Sequence, residues 1–145
     1  MKVKIENIIH HRGDALLDTF EYKAYLALLK EKKVTKARKI LTDNHYATYW
    51  TGERNITTGE YVRALYKEKG LQFPGSLTAA SKEIVKEAIK RRVNDEINHA
   101  KDIAANGCNI LPRGRREGNI MRLFDGHNRA AAMAALGSKE IEVAC

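Results

Sequence analysis

The segment that most constrains the fold is MRLFDGHNRAAAMAALGSKEIEVAC, residues 121–145. Its apolar pattern changes period twice. IMRLF (120–124) reads as a strand, and Arg129–Leu136 reads as an alanine-rich helix stopped by Gly137. KEIEVA (139–144) alternates Ile141 and Val143 and reads as a closing strand. Only DGHN, residues 125–128, joins the first strand to the helix, so the chain must turn tightly there. The fold class is therefore α+β.

Upstream the chain is mostly helical by pattern. KVKIENII (2–9) alternates at Val3 and Ile5 and predicts a strand, followed by a turn at HHRGD (10–14). Asp14 is placed to cap a helix running to about Lys32, with Leu17, Phe20, Ala24 and Leu28 on its inner face. A second helix is expected over 35–47, with Ala37, Ile40 and Leu41 inward, and a loop over 48–59. Thr58 is placed to cap a helix carrying Tyr61, Val62, Leu65 and Tyr66 and ending at Gly70. GLQFPGS (70–76) is a break. The strongest helix follows Ser81, with Val85, Ile89, Val93, Ile97, Ala100 and Ala104 in a stripe and Asn106-Gly107 as its stop. Glu87 and Arg91 form a favourably ordered pair on it. CNIL (108–111) then predicts a short strand that includes Cys108, and PRGRREGN (112–119) a hairpin loop.

Composition narrows the class. With 145 residues, 43% of them hydrophobic, the chain has enough apolar material for one domain with a real core. No apolar run approaches the roughly 18 residues of a membrane span, and MKVKIENIIHH is no secretory signal. The two cysteines, Cys108 and Cys145, make neither a disulfide framework nor a four-thiolate metal site, so a reducing cytoplasmic setting is expected. The chain stops at Cys145 within the closing strand, which leaves room for a longer native protein.

Lysine and arginine exceed the acidic residues by 26 − 18 = +8. The excess sits in two places. Residues 30–39 (KEKKVTKARK) carry +5 and residues 112–122 (PRGRREGNIMR) carry +3. The first suits a solvated helix end, and the second, rich in arginine, suits either an exposed hairpin or planar contacts with phosphate. An anionic partner is plausible on charge alone.

The DGHNR turn carries the chemistry. Gly126 lets backbone approach a ligand closely. The first turn of the following helix offers free N–H groups at the positive end of its dipole, which suits phosphate. Arg129 in that turn adds a two-pronged contact. Asp125 suits a metal ion or fixes the turn, His127 suits phosphate or proton transfer, and Asn128 suits phosphate or a base. The same residues also suit an ordinary strand–helix turn capped by Asp125. Elsewhere, His10 and His11 lack ligand spacing for a metal. His45, Tyr46, Tyr49 and Trp50 suit core or interface ahead of base stacking, and Gly52-Glu53-Arg54 suits a loop.

This segment resembles the ParB/sulfiredoxin superfamily. Members end a strand with a G-x-x-R turn, run into a short helix with a small-residue face, and close with an I-P-V strand. Gly126-His127-Asn128-Arg129, the alanine helix and Glu140-Ile141-Glu142-Val143 are the equivalents. DGHNR is close to the D-G-H-H-R of the free serine kinases and to small ParB-like proteins. The resemblance covers about residues 107–145 and the first strand. It departs from sulfiredoxins, whose nucleophilic cysteine is replaced by His127, and from chromosome-partition proteins, whose turn reads G-E-R-R before a helix-turn-helix domain. The serine kinases carry histidine at the position of Asn128.

The resemblance implies one helix-rich α+β domain, residues 1–145, with a small mixed sheet, a motif-bearing core at 107–145 and a helical insertion at 14–104. It implies a nucleotide (ATP, ADP or CTP) whose phosphates are held by Gly126, His127, Asn128 and Arg129, with Mg²⁺ nearby at Asp125. Arg113, Arg115 and Arg116 would reach over the phosphates. A kinase-like phosphotransfer needs a carboxylate to take the acceptor's proton, for which Asp125 and Glu21 are the candidates. Two other functions fit: a DNA- or RNA-binding ParB-like protein with nuclease activity, and a non-catalytic module that binds a protein partner or its own copy through the helical insertion.

Overall fold

A computed structural model describes residues 1–50 and 56–145. The Gly52-Glu53-Arg54 sequence, expected as a loop, lies outside the described residues. In chain order the elements are β1 Lys2–Lys4, β2 Ile8–Ile9, α1 Phe20–Tyr25, α2 Val34–Trp50, α3 Ile56–Glu68, α4 Lys82–Asn106, β3 Arg113–Glu117, β4 Ile120–Asp125, α5 His127–Ala135 and β5 Glu140–Glu142. The fold is α+β and helix-rich, with two small sheets. Among the described residues no helix is long and apolar enough to cross a membrane. The chain forms two compact units, residues 1–40 with 97–145 and residues 41–96. Residues 14–40 and 97–104, expected within the insertion, thus belong to the first, sheet-bearing unit.

In the first unit β1 pairs antiparallel with β5, Val3 opposite Ile141. The other sheet has the order β2-β4-β3. β2 runs parallel to β4, Ile8 opposite Met121, and β3 runs antiparallel to β4. The expected continuous strand over 2–9 is interrupted by a 3-10 turn at Ile5–Asn7, where the Ile5 N–H donates to the Lys139 carbonyl. That turn sends β1 and β2 to different sheets. Ile8, Leu16, Met121, Leu123 and Val143 are buried in this unit. α5 packs on α1, and its five buried alanines leave room for close approach.

Five expectations are corrected here. Thr19, not Asp14, caps α1, its hydroxyl accepting the Tyr22 N–H, while the Asp14 carbonyl accepts the His10 N–H and closes a turn. Leu17 is 42% exposed because it lies on a 3-10 turn ahead of the helix, and Leu16 is buried in its place. Past Tyr25 the helix widens to a π turn at Leu26–Lys30, and Lys32 at φ 58° ends it. No strand forms at 108–111: Cys108 lies in a loop, where its thiol donates to the Ile110 carbonyl, and Ile110 is exposed. The expected hairpin loop 112–119 is mostly β3, and only Gly118-Asn119 turns. Gly114 allows this, since a Cβ there would stand 2.7 Å from the Arg122 carbonyl oxygen of β4.

The second unit is helical. Leu41, His45 and Tyr49 of α2 are buried, a spacing of four residues that places them on one face. Val62, Leu65 and Tyr66 of α3 and Val85, Ile89 and Val93 of α4 are buried as well. Trp50 is exposed, so the aromatic cluster is core in part only. α2 continues to Trp50 and α3 begins at Ile56, shortening the expected 48–59 loop from both sides. Thr58 therefore lies inside α3, where its hydroxyl accepts from Arg92 at 2.8 Å, and does not cap it. α4 starts after Ser81 and stops before Gly107, as the sequence predicts. Along its C-terminal end, in the first unit, Ile97, Ala100 and Ile103 are buried and Ala104 is exposed. The expected Glu87–Arg91 pair forms at 3.3 Å, with Arg91 also donating to Glu68.

Candidate functional site

Parallel pairing of β2 with β4 sets the site. Both strands end at the same side, so the residues after Ile9 and those after Asp125 come together. Ligand sites recur at the carboxyl ends of parallel strands for this reason. Here the pairing gathers His10, His11 and Arg12 against His127, the first residue of α5.

The turn itself is built by Gly126. Its φ of 81° is left-handed, and a Cβ there would stand 2.7 Å from Pro112 Cα and 2.9 Å from an Arg129 Nη. Glycine is thus needed for both conformation and clearance. Gly126 is the N-cap of α5 and no side chain bonds to the cap, so Asp125 does not cap the helix. The first bond within the helix runs from the Ala130 N–H to the Gly126 carbonyl, leaving the N–H groups of 127–129 ahead of it. Asp125 is the last residue of β4 and is 54% exposed in its side chain; its carboxylate stands 3.5 Å from Arg129 Nη2. Arg129 is largely buried, and its Nε is a buried donor without a hydrogen-bond partner among the described residues. Asn128 lies half-buried in the same turn.

The three imidazoles cluster, His10 tilted against both others and His11 edge-on to His127. Ring centroids are 3.9 Å apart for His10 and His127, 4.3 Å for His10 and His11, and 4.9 Å for His11 and His127. His11 Nδ1 and His127 Nε2 stand 3.2 Å apart, and His127 Nε2 is also 3.2 Å from the Leu123 carbonyl oxygen. A carbonyl only accepts, so His127 Nε2 carries the proton and His11 Nδ1 accepts. His10 Nδ1 accepts the Arg12 backbone N–H at 3.2 Å. Burial, reinforced by the neighbouring His127, Arg12 and His11, pushes His10 down to about 3. His127 falls to about 4, from burial and then the charge of His11, partly opposed by the Leu123 carbonyl. Burial and Arg12 lower His11 as well. All three rings are held towards the neutral, electron-pair-bearing form.

Glu21 joins this group. It lies in the first turn of α1, where the helix dipole favours an acid, and is only 7% exposed. Its Oε1 is 3.8 Å from His10 Nε2 and 3.7 Å from Arg12 Nη2. The hairpin arginines are spread out. Arg113 stands opposite Asp125 at the DGHNR end, over the Phe124 ring at 5.4 Å. Arg115 and Arg116 lie towards the far end of β3. Arg115 pairs with Glu117 at 3.0 Å, and Arg116 donates to the Gly118 carbonyl. The structure therefore brings together Glu21, Asp125, Gly126, His127, Asn128, Arg129 and Arg113, and leaves Arg115 and Arg116 aside.

Sequence reasoning missed His10, His11 and Arg12 as members of the site, together with Arg122, which donates to the His11 carbonyl at 3.2 Å and to Glu117. The signal was present as a double histidine at a strand end, but its partner is 116 residues away in sequence. For phosphate, the buried Arg129 Nε and the open first turn of α5 are a fitting donor set. For Mg²⁺, Asp125 offers one exposed carboxylate, which suits an ion that keeps waters and takes further oxygens from phosphate. No protein-family model matches the chain, and neither does any curated protein or solved structure.

Proposed function

We propose that the first unit is a ParB/sulfiredoxin-type domain that binds the phosphates of a nucleotide at the DGHNR turn and transfers phosphate in a kinase-like reaction. The observation that carries this is Arg129: a guanidinium packed into the first turn of α5, with a buried Nε that has no hydrogen-bond partner among the described residues. A buried charged donor without an acceptor is costly, and an anion in the turn would satisfy it. Gly126 makes the left-handed turn from which the N–H groups of 127–129 start the helix, and Asp125 would hold Mg²⁺ when bound, which supplies charge neutralisation across the phosphates. Glu21, buried beside Arg12 and His10, is the better placed of the two candidate bases to be shielded from water, while Asp125 is more than half exposed and would face the Mg²⁺.

Calorimetric titration with ATP, ADP and CTP, with and without Mg²⁺, tests the proposal. Arg129→Ala is expected to weaken binding roughly 10- to 100-fold, the loss of a charge-assisted pair. Absence of binding by all three nucleotides to the folded wild-type protein would exclude it. Nucleic-acid binding is the second reading, favoured by the exposed Lys30, Lys32, Lys33, Lys36, Arg113, Arg115 and Arg116 of the first unit. It requires a DNA mobility shift that weakens steeply with added salt.

A further inference from the structure

We propose that His10, His11 and His127 form a binding site for one divalent transition-metal ion of the zinc type, with three imidazole ligands and an open fourth position beside the DGHNR turn. Each histidine offers one ring nitrogen, and the three atoms all lie within 4.8 Å of one another. Two nitrogens on one tetrahedral zinc, each about 2.0–2.1 Å from the ion, stand about 3.3 Å apart. His11 Nδ1 and His127 Nε2 are 3.2 Å apart without an ion. A metal would replace the proton these two atoms now share, and the Nε2 contact with the Leu123 carbonyl would be given up. The third nitrogen, from His10, has to close in by up to about 1.5 Å.

The surroundings support a metal over a plain imidazole cluster. Glu21, its Oε1 3.8 Å from His10 Nε2, places a carboxylate beside this histidine, where a shift of about half an ångström would bring it within hydrogen-bond range of the ring. Nitrogen donors select zinc, cobalt, nickel or copper and disfavour Mg²⁺, so this site is distinct from an oxygen-donor site at Asp125. The charged groups around it balance, Glu21 and Asp125 against Arg12 and Arg129. A dication held by three neutral ligands keeps its full charge. The fourth position therefore favours an anionic oxygen, either hydroxide or a phosphate oxygen. Three protein ligands with one open position are the arrangement of catalytic rather than structural zinc.

The site stands whether or not a nucleotide binds, and its test uses none. The full chain, stripped with chelator and dialysed, is titrated with Zn²⁺ and Co²⁺ and, in parallel, Mg²⁺. One Zn²⁺ per chain is expected, with the visible absorption of four-coordinate Co²⁺ and no response to Mg²⁺. His11 is exposed, so His11→Ala is expected to fold as wild type by circular dichroism while losing more than ~100-fold in Zn²⁺ affinity, at least the cost of losing an outer-shell partner. His127→Ala provides the second ligand test, and Arg129→Ala is expected to keep its metal. Failure of wild type to bind Zn²⁺ or Co²⁺ stoichiometrically would overturn the proposal. So would unchanged affinity in folded His11→Ala, which would place the ion elsewhere, such as at Cys108 or Cys145.

Discussion

Each unit buries a histidine against a glutamate, and the two pairs are built differently. In the helical unit His45 is 1% exposed, and its Nε2 is 2.6 Å from Glu96 Oε1. In the sheet-bearing unit His10 is 3% exposed, and its Nε2 is 3.8 Å from Glu21 Oε1, beyond hydrogen-bond range. His45 sits between Leu41 and Tyr49 on one helix face and is tied to Glu96 by a short contact. His10 is packed against two more imidazoles at a strand end and is tied to its own turn. The first arrangement spends the histidine on holding a core together. The second keeps the ring electron-rich and next to other ligands. Burial alone does not tell a structural histidine from a functional one; the distance to its acid and the company of other donors do.

The largest expected effect separates the two pairs by stability. Glu96→Ala removes the partner of a buried histidine and also uncovers Arg92, whose Nε is 3.9 Å from Glu96. It is expected to cost about 3–5 kcal/mol by urea denaturation. Glu21→Ala is expected to cost less, about 1 kcal/mol, because its contact with His10 is looser at 3.8 Å and Arg12 is open to solvent. Equal losses would erase the distinction and make both pairs core. Between them stands Gly126→Ala, which forces a side chain into a left-handed residue facing Pro112. A loss of about 1–3 kcal/mol is expected, with nucleotide binding weakened along with stability.

The third test concerns a titration in the helical unit. The Tyr61 hydroxyl donates to Asp95, and burial with that bond raises it to about 12 from an ordinary 10. Folded Tyr61 therefore keeps its proton over the window between 10 and 12 in which the unfolded residue loses it. Its contribution to stability is complete below 10 and fades as pH rises through 12. Absorbance titration should show late-ionising tyrosine absorbance that loses one residue's amplitude near 12 in Tyr61→Phe. Smallest of all is Arg91→Ala. Its bonds to Glu68 and Glu87 lie in solvent, and no measurable shift of the urea midpoint is expected.

How far the sequence led differs between the two strands of the hairpin. β4, α5 and β5 were legible because IMRLF, the alanine run and KEIEVA carry their periods openly. β3 was not, because RGRRE has no apolar alternation, and only the fit of Gly114 against Arg122 makes it a strand. The caps behaved similarly. Asp14 satisfies the composition rule, but the turn at His10 claims its carbonyl, and Thr19 starts the helix five residues later. In the candidate site, Gly126 and Arg129 were visible as a local motif. The His10–His11–His127 group was not, since β2 is two residues long and its register with β4 is fixed by packing of Ile8 against a distant strand.

The arginines of β3 have a consequence apart from phosphate. In the order β2-β4-β3 this strand is outermost, and Ala144 meets its outer side only near Arg113 and Gly114. Beyond them its backbone is a template on which another chain's strand could add. Arg115 and Arg116, exposed and away from the DGHNR turn, make such stacking of like-charged copies unfavourable. Replacing both with threonine would leave the turn intact and make the chain self-associate as concentration rises, which light scattering would detect.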